Sequence, residues 1–298
     1  MSTRHNETFF KEKEASTVWF VVPSLIILFV IIAYPLAYSL YMSFLDFDLK
    51  KPYLGSSFVG ARNYIRALKD PEVIRSLQLT FLFSLLMIAI EIPAGLGLAL
   101  LFNRRSRGAF LIQALFLIPF TIAPIAIGLT WRYILQPQIG IANYFLRQIG
   151  LPPSLWYTSK DTAYLCIILA SSWRWIPFSV MVLLAGLQSI PSEPNEAAKV
   201  DGANSLHIFW YIILPALRPL ILFLGLIRLL YSLKLFDPIH SLTKGGPGAV
   251  TEIFNYHLYL VVFRRFDIPF GAAMSFLMFG ISILLCAFLI KFMPEERR

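Results

Sequence analysis

The sequence predicts an all-α integral membrane protein with six transmembrane helices, and three observations predict it. The 298-residue chain is 57% hydrophobic and 15% aromatic, and its mean hydropathy is +0.68, far from the composition of soluble domains. Apolar runs recur that reach the about 20 residues a helix needs to cross a hydrocarbon core ~30 Å thick. These runs lack the period-two alternation of a membrane barrel strand, so helices that satisfy their own backbone are the economical choice.

In chain order the predicted helices cover residues 18–44, 77–102, 109–134, 163–188, 211–235 and 271–293. Together they make a membrane domain at 18–293 between tails at 1–17 and 294–298, with no internal repeat and no soluble second domain. Lys11 and Lys13 ahead of the first run imitate a signal peptide. That run is too long for such a segment and lacks a small-residue cleavage site, so it is expected to stay as a helix. Pro35, Pro93, Pro119, Pro124 and Pro177 mark kinks whose freed backbone groups must find partners on neighbouring helices or water.

Six crossings put both termini on one side of the membrane. The short loop holding Arg104, Arg105 and Arg107 makes that side cytoplasmic by the positive-inside rule. Lys50, Lys51, Arg62, Arg66, Lys69 and Arg75 then lie outside, in a longer loop of the kind that crosses largely regardless of charge. The net charge of +9 is spread through the loops without a compact basic run, which reads as membrane-surface charge rather than nucleic-acid binding. Cys166 and Cys286 sit in apolar runs and read as small hydrophobes, without the spacing of a metal site.

Between the fourth and fifth helices, residues 190–210 break the apolar pattern. A short helix is expected there, capped by Ser192, with Pro194 in its first turn and Glu196, Ala197, Ala198 and Lys199 following. Gly202 ends it, and a second short helix from Asn204 or Ser205 leads towards Leu214 and Pro215. Two helices bent at a glycine make a knob suited to a cleft on another protein. On the residues alone, an ordered loop with no partner is an equal reading.

The spacing adds to this. Glu196-Ala-Ala, three residues, Gly202, nine residues and Ile212-x-Leu-Pro215 resemble the EAA loop of permease subunits in binding-protein-dependent ABC importers. Other stretches are similar to carbohydrate-importer permeases of the maltose-transporter type (carbohydrate uptake family 1): Gly60-Ala-Arg-Asn-Tyr64, Pro177-Phe178, the segment from Leu184 to Pro191, that from Lys234 to Ile239, that from Leu242 to Gly248, and Thr251-Glu252. The resemblance implies a type I ABC importer permease fold in a bacterial or archaeal plasma membrane. It implies a heterodimer with a second related permease, two cytoplasmic ATPase subunits and an extracytoplasmic solute-binding protein. Glu196, Ala197, Ala198, Asp201, Gly202, Leu214 and Pro215 become the expected ATPase-coupling residues. No phosphate-binding loop of the G-x-x-x-x-G-K-[ST] kind is present, and Gly245 to Gly248 reads as an outer turn. ATP and its Mg are therefore expected on the partners, with no catalytic residue, cofactor or metal on this chain.

Ionisable groups within membrane segments are costly, about 2.5–3.5 kcal/mol on insertion scales, and usually face a cavity or a partner. Glu91, Arg174 and Arg228 are such groups. Glu91 beside Pro93, Gly95 and Gly97 reads as a helix-packing residue. Trp173 and Trp175 flank Arg174 and read either as sugar-stacking faces or as an interfacial aromatic belt. The family resemblance implies substrate-lining roles for Ser171, Arg174, Trp175, Phe178, Arg228 and Ser232. The two arginines depart from the maltose pattern. They suit an acidic or heavily hydroxylated glycan fragment, or they pair with Glu91 or with acids on the partner permease.

Rival classes lack their marks. A secondary transporter would show repeats and midplane ion sites. An intramembrane enzyme would pair acids or histidines within the helices, whereas His207, His240 and His257 fall in predicted loops or boundaries and His5 in the tail. The alternative inside the same class is a permease for a polyol or glycerol phosphate.

Overall fold

The computed structural model describes residues 21–103 and 109–291, so Arg104, Arg105, Arg107 and the predicted tails lie outside the described residues. These fall into two compact units, one within Met1–Leu68 and Val261–Met278, the other within Lys69–Leu260 and Phe279–Arg298. Among the described residues, five helices are long and apolar enough to cross a membrane, and a bent pair supplies a sixth if it counts as one span.

In the first unit, helix α1 (Val21–Met42) keeps its apolar side chains exposed, a surface that suits lipid. A single π turn, Phe29–Ala33, precedes Pro35. Proline lacks an N–H and crowds the preceding turn, which a widened turn accommodates. The chain then makes a two-rung antiparallel ladder, β1 (Leu45–Asp46) with β2 (Ser57–Phe58), and enters α2 (Arg62–Lys69). Gly60 takes φ +56°, the left-handed region that glycine adopts without penalty. Buried Asn63 donates from Nδ2 to the carbonyls of Ser43 (3.0 Å) and Leu45 (2.8 Å). The Tyr64 hydroxyl meets Ser43 Oγ at 2.7 Å. The Gly60–Tyr64 stretch is thus a clasp on the end of α1.

The second unit begins with α3 (Pro71–Phe102). It starts ahead of the apolar run because the Asp70 carboxylate caps it, accepting from the backbone N–H of Glu72 at 2.8 Å and Val73 at 3.4 Å, with Pro71 in the first turn. The third predicted span is broken. Helices α4 (Leu111–Thr121) and α5 (Pro124–Ile134) meet at 97°. The short α6 (Ile141–Gln148) follows. Its Asn143 amide donates to the carbonyls of Pro137 and Ser154 and accepts from Ser154 N–H and Trp156 Nε1, all within 2.9 Å, which fixes the long connection.

Helix α7 (Ala163–Ser189) is the central element, the most deeply buried of the apolar helices. It lies against α3, where Gly95 faces Ser179: a Cβ on Gly95 would sit 2.7 Å from Ser179 Cβ. Leu96, Ala99, Leu183, Leu217 and Leu224 form one buried cluster on this seam; Met87, Ile127, Cys166 and Ile239 belong to another. After α8 (Glu193–Val200) comes α9 (Ser205–Leu233). The turn at Gly245 and Gly248 has φ +78° and +60°, and buried Thr251 pins it by donating Oγ1 to the carbonyl of Gly246 at 3.1 Å. Helices α10 (Phe254–Tyr259) and α11 (Ile268–Ile290) complete the chain. His257 is not in a loop as its sequence context suggests. It is buried within α10, with Nδ1 2.7 Å from Glu252 Oε1. Apolar neighbours in a short amphiphilic segment carry no signal that distinguishes the two placements.

Candidate functional site: a polar cavity and an exposed loop

Two features of the second unit concentrate chemistry. The first is a cavity of about 240 Å³ bounded by α5, α7, α9 and the segment that follows α9. Ser171, Arg174, Trp175, Arg228, Tyr231, Lys234 and Asp237 supply its aromatic and polar surface, and Pro124, Ile127 and Ala170 part of its apolar wall. Of the six residues expected to line a substrate path, four come together here. Phe178 and Ser232 do not line it. Phe178 stacks on Phe120 at 5.2 Å between ring centres, one turn away from the cavity. Ser232 faces α3, with its Oγ 2.6 Å from Ser84 Oγ. Phe178 stands one turn beyond Arg174 on the same helix, and Ser232 one turn beyond Arg228, on the side turned to α3.

The two tryptophans divide. Trp175 is 6% exposed and packs against Tyr231 at 4.7 Å, Phe120 at 5.7 Å and Phe178 at 5.8 Å. Trp173 is 40% exposed, on the opposite face, edge-on to Trp131. One therefore suits each of the readings left open by sequence.

The arginines divide as well. Arg228 is 4% exposed and Glu91 1%. The Arg228 guanidinium grips the Glu91 carboxylate with Nε on Oε2 and Nη2 on Oε1. Nη2 also donates to Ser171 Oγ at 2.9 Å, and Ser172 Oγ donates to Glu91 Oε1 at 3.0 Å. The Arg228 head lies over the Trp175 ring, 4.8 Å from its centre. A bidentate pair with further hydrogen bonds is the arrangement that offsets the desolvation of two buried charges. Glu91 joins α3 to α7 and α9 through this knot, so pairing within the chain is the outcome for Arg228. Arg174 is half-buried and differs. Its Nε donates to the Ile122 carbonyl at 3.3 Å, a group left free where the α4–α5 bend interrupts the helix. Its head lies 5.5 Å from the Phe120 ring centre and 5.6 Å from that of Trp175.

Tyr231, Lys234 and Asp237 were not anticipated as lining residues. Lys234 and Asp237 belong to the charged pair of the Lys234–Ile239 stretch, directly behind an apolar helix, and that position is the one signal that points to them.

The second feature is the loop between α7 and α9. Helix α8 ends in a Schellman motif: Gly202 N–H bonds to the Lys199 carbonyl at 3.1 Å and Ala203 N–H to the Ala198 carbonyl at 2.8 Å. Gly202 sits at φ +83° with open space around it, so its backbone conformation, not crowding, requires glycine. Ser192 holds the N-cap position but its hydroxyl makes no capping bond. Its backbone is already helical there, which turns the hydroxyl away from the first turn. Asn204 does cap, accepting from His207 N–H at 2.9 Å. The second helix is not a separate short one, since α9 runs unbroken through Leu214 and Pro215 with a π turn at Phe209–Ile213. Glu196, Ala197 and Asp201 are exposed and Ala198 is half-buried. The loop also presents apolar side chains that sequence reading passed over: Val200 is 88% exposed, and Leu206, Trp210 and Tyr211 are exposed beside it.

Residues 91–294 match the family described as "Binding-protein-dependent transport system inner membrane component". Among curated relatives, a probable ABC transporter permease protein, y4oQ, of Sinorhizobium fredii is 33% identical over 263 residues, 88% of this chain and 85% of the relative. The trehalose/maltose transport system permease protein MalF of Thermococcus litoralis is 33% identical over 285 residues, 93% of this chain and 92% of the relative. The sn-glycerol-3-phosphate transport system permease protein UgpA of Agrobacterium fabrum is 32% identical over 279 residues, 93% and 94% respectively. A chain from the crystal structure of a bacterial ABC transporter involved in import of the acidic polysaccharide alginate shares the fold, with a TM-score of 0.82 and 22% identity over 98% of this chain and 100% of that one. The knobbed loop, the apolar helices and these likenesses agree: the chain belongs to the inner membrane component family of binding-protein-dependent transport systems and is a membrane-embedded permease subunit of an ABC importer.

Proposed function

We propose that this chain pairs with a second, related permease to form the translocation path for a carbohydrate, an oligosaccharide with acidic sugars favoured, delivered by an extracytoplasmic solute-binding protein. The observation that carries the reading is the cavity. Ring faces of Trp175 and Tyr231 stand beside the Ser171 hydroxyl and the charged groups of Arg174, Lys234 and Asp237. Sugars present C–H faces to rings and hydroxyls to such donors and acceptors, and specific pockets are built from apolar walls with a few placed polar groups. A relative named for trehalose/maltose transport supports the same class.

In this reading the loop at 190–210 docks into a partner ATPase, which makes that face, both termini and the 104–107 arginines cytoplasmic. Two ATPase subunits hold ATP and Mg and do the hydrolysis, and this chain contributes no catalytic group. ATP shifts the helices between inward- and outward-open states only because it binds the closed ATPase pair better than the open one. Rigid α8 carries that closure to α7 and α9, the helices that line the cavity.

A second reading, a polyol phosphate, is favoured by the cationic lining and by the relative named for sn-glycerol-3-phosphate transport. The test is a ligand screen of the cognate binding protein against neutral and acidic oligosaccharides, polyols and sn-glycerol 3-phosphate, followed by ATP-driven uptake into proteoliposomes. Transport of an oligosaccharide is the expected result; transport of amino acids or inorganic ions alone contradicts it.

A further inference from the structure

We infer that Arg174 and Lys234, and not Arg228, recognise an oxyanion on the solute, with Lys234 a specificity-determining residue outside the six expected from sequence. The inference rests on the reading of the cavity as the solute site.

Three cations line the cavity, and they are not equivalent. Arg228 is committed to its own chain: Nε and Nη2 are on Glu91 and Ser171, and Nη1 is buried without a hydrogen-bond partner, with the Trp175 ring over the guanidinium. Its charge is cancelled by a carboxylate buried beside it. Arg174 uses Nε on the Ile122 carbonyl, while its Nη1 and Nη2 make no hydrogen bond to the described residues. Lys234 follows the last turn of α9 and is exposed into the same cavity. Its ammonium makes no hydrogen bond or ion pair with the described residues. Asp237 is the one acid among the described residues of the lining.

Once the Glu91–Arg228 pair is set aside as neutral, two cations face one anion. That leaves one positive charge in a partly enclosed site, and such a charge favours a carboxylate or phosphate over a hydroxyl. Guanidinium Nη1 and Nη2 offer a planar fork for two oxygens, and the ammonium is a mobile point charge that reaches a third. A lysine behind a helix also offsets the negative helix end. That role alone affects stability and leaves solute preference unchanged.

Carboxylate from a uronic acid and phosphate from a polyol phosphate share this chemistry, and the experiment separates them. Equilibrium binding of three radiolabelled probes is measured on the complete transporter in nanodiscs: a hexuronic acid trisaccharide, a neutral trisaccharide of the same size, and sn-glycerol 3-phosphate. One anionic probe should bind at least tenfold more tightly than the neutral sugar, and which one does so identifies the source of the oxyanion. Lys234→Gln and Arg174→Gln should each weaken the anion about tenfold, as expected for loss of a charged hydrogen bond, and weaken the neutral sugar by a smaller factor. Lys234→Arg should keep the preference. A neutral sugar bound as tightly as both anions overturns the inference and leaves the carbohydrate reading standing, as does Lys234→Gln lowering all probes equally or none. A transporter that hydrolyses ATP but binds none of the three overturns the reading of the cavity and the inference with it.

Discussion

Where α7 and α9 meet in mid-helix, both oxygens of the Glu91 carboxylate and two nitrogens of Arg228 are engaged in a dry knot with Ser171 and Ser172. Where the same two helices are joined by their loop, α8 is closed by backbone bonds at Gly202 while Val200, Leu206 and Tyr211 stand in the open. The first region is paired within its own chain, with Arg228 Nη1 alone left without a partner in the knot, and its role is to hold three helices in register. The second is internally rigid but leaves apolar and charged groups unspent, which is the condition for docking. The cavity lies between these extremes: its Arg228 is spent, its Arg174 and Lys234 are not.

The largest effect should come from breaking the knot. Arg228→Met or Glu91→Leu alone leaves a buried charge uncompensated and is expected to destabilise the chain by about 3–5 kcal/mol, whereas the double replacement by apolar residues should be close to neutral. Thermal unfolding of the purified complex in detergent checks this; a double variant no more stable than the worse single one would show that the pair is not a closed unit. Next comes Gly202→Val. A β-branched residue forced into the left-handed region costs roughly 1–3 kcal/mol, so α8 should lose its sharp end, with faster hydrogen exchange at 199–203 and unchanged exchange around Glu91. Asp70→Ala removes the cap of α3 at about 1 kcal/mol, readable as a small shift in unfolding midpoint. Smallest in stability is Val200→Ser, expected within about 0.5 kcal/mol of the parent because its side chain touches little. The same change should weaken attachment of the ATPase subunits about tenfold, since burying a valine is worth about 1.5–3 kcal/mol, and co-purification titrated with detergent-solubilised partner reads it. A site paired within the chain thus fails in folding and an unpaired one in assembly.

What the sequence disclosed follows the same line. Apolar runs and Gly202 were legible because span length and a positive-φ terminus depend on local chemistry. Pro119 and Pro124 announced a kink, but not its 97° nor the Arg174 guanidinium of α7 that donates to the Ile122 carbonyl beside it. Family likeness implies Ser171, Arg174, Trp175 and Arg228, which line one cavity, and Phe178 and Ser232, which lie outside its lining in contacts with Phe120 and Ser84 that only tertiary packing sets. Pairing of Arg228 with Glu91 was one of three open readings, since partners this far apart in sequence are fixed only by tertiary packing. Lys234 and Asp237 stayed hidden because a charge behind an apolar helix usually faces solvent, and here the chain turns back over the cavity.

The central claim is that the loop transmits ATP-driven motion to the helices that line the cavity. It is tested most directly by ATP hydrolysis of the chain reconstituted with its partner permease, ATPase subunits and loaded binding protein, comparing parent with Glu196→Ala and Gly202→Val. The account predicts hydrolysis stimulated by the loaded binding protein in the parent and loss of that stimulation in both variants, with the complex still assembled at high subunit concentration. Stimulation that persists in both variants at the parent level would contradict it.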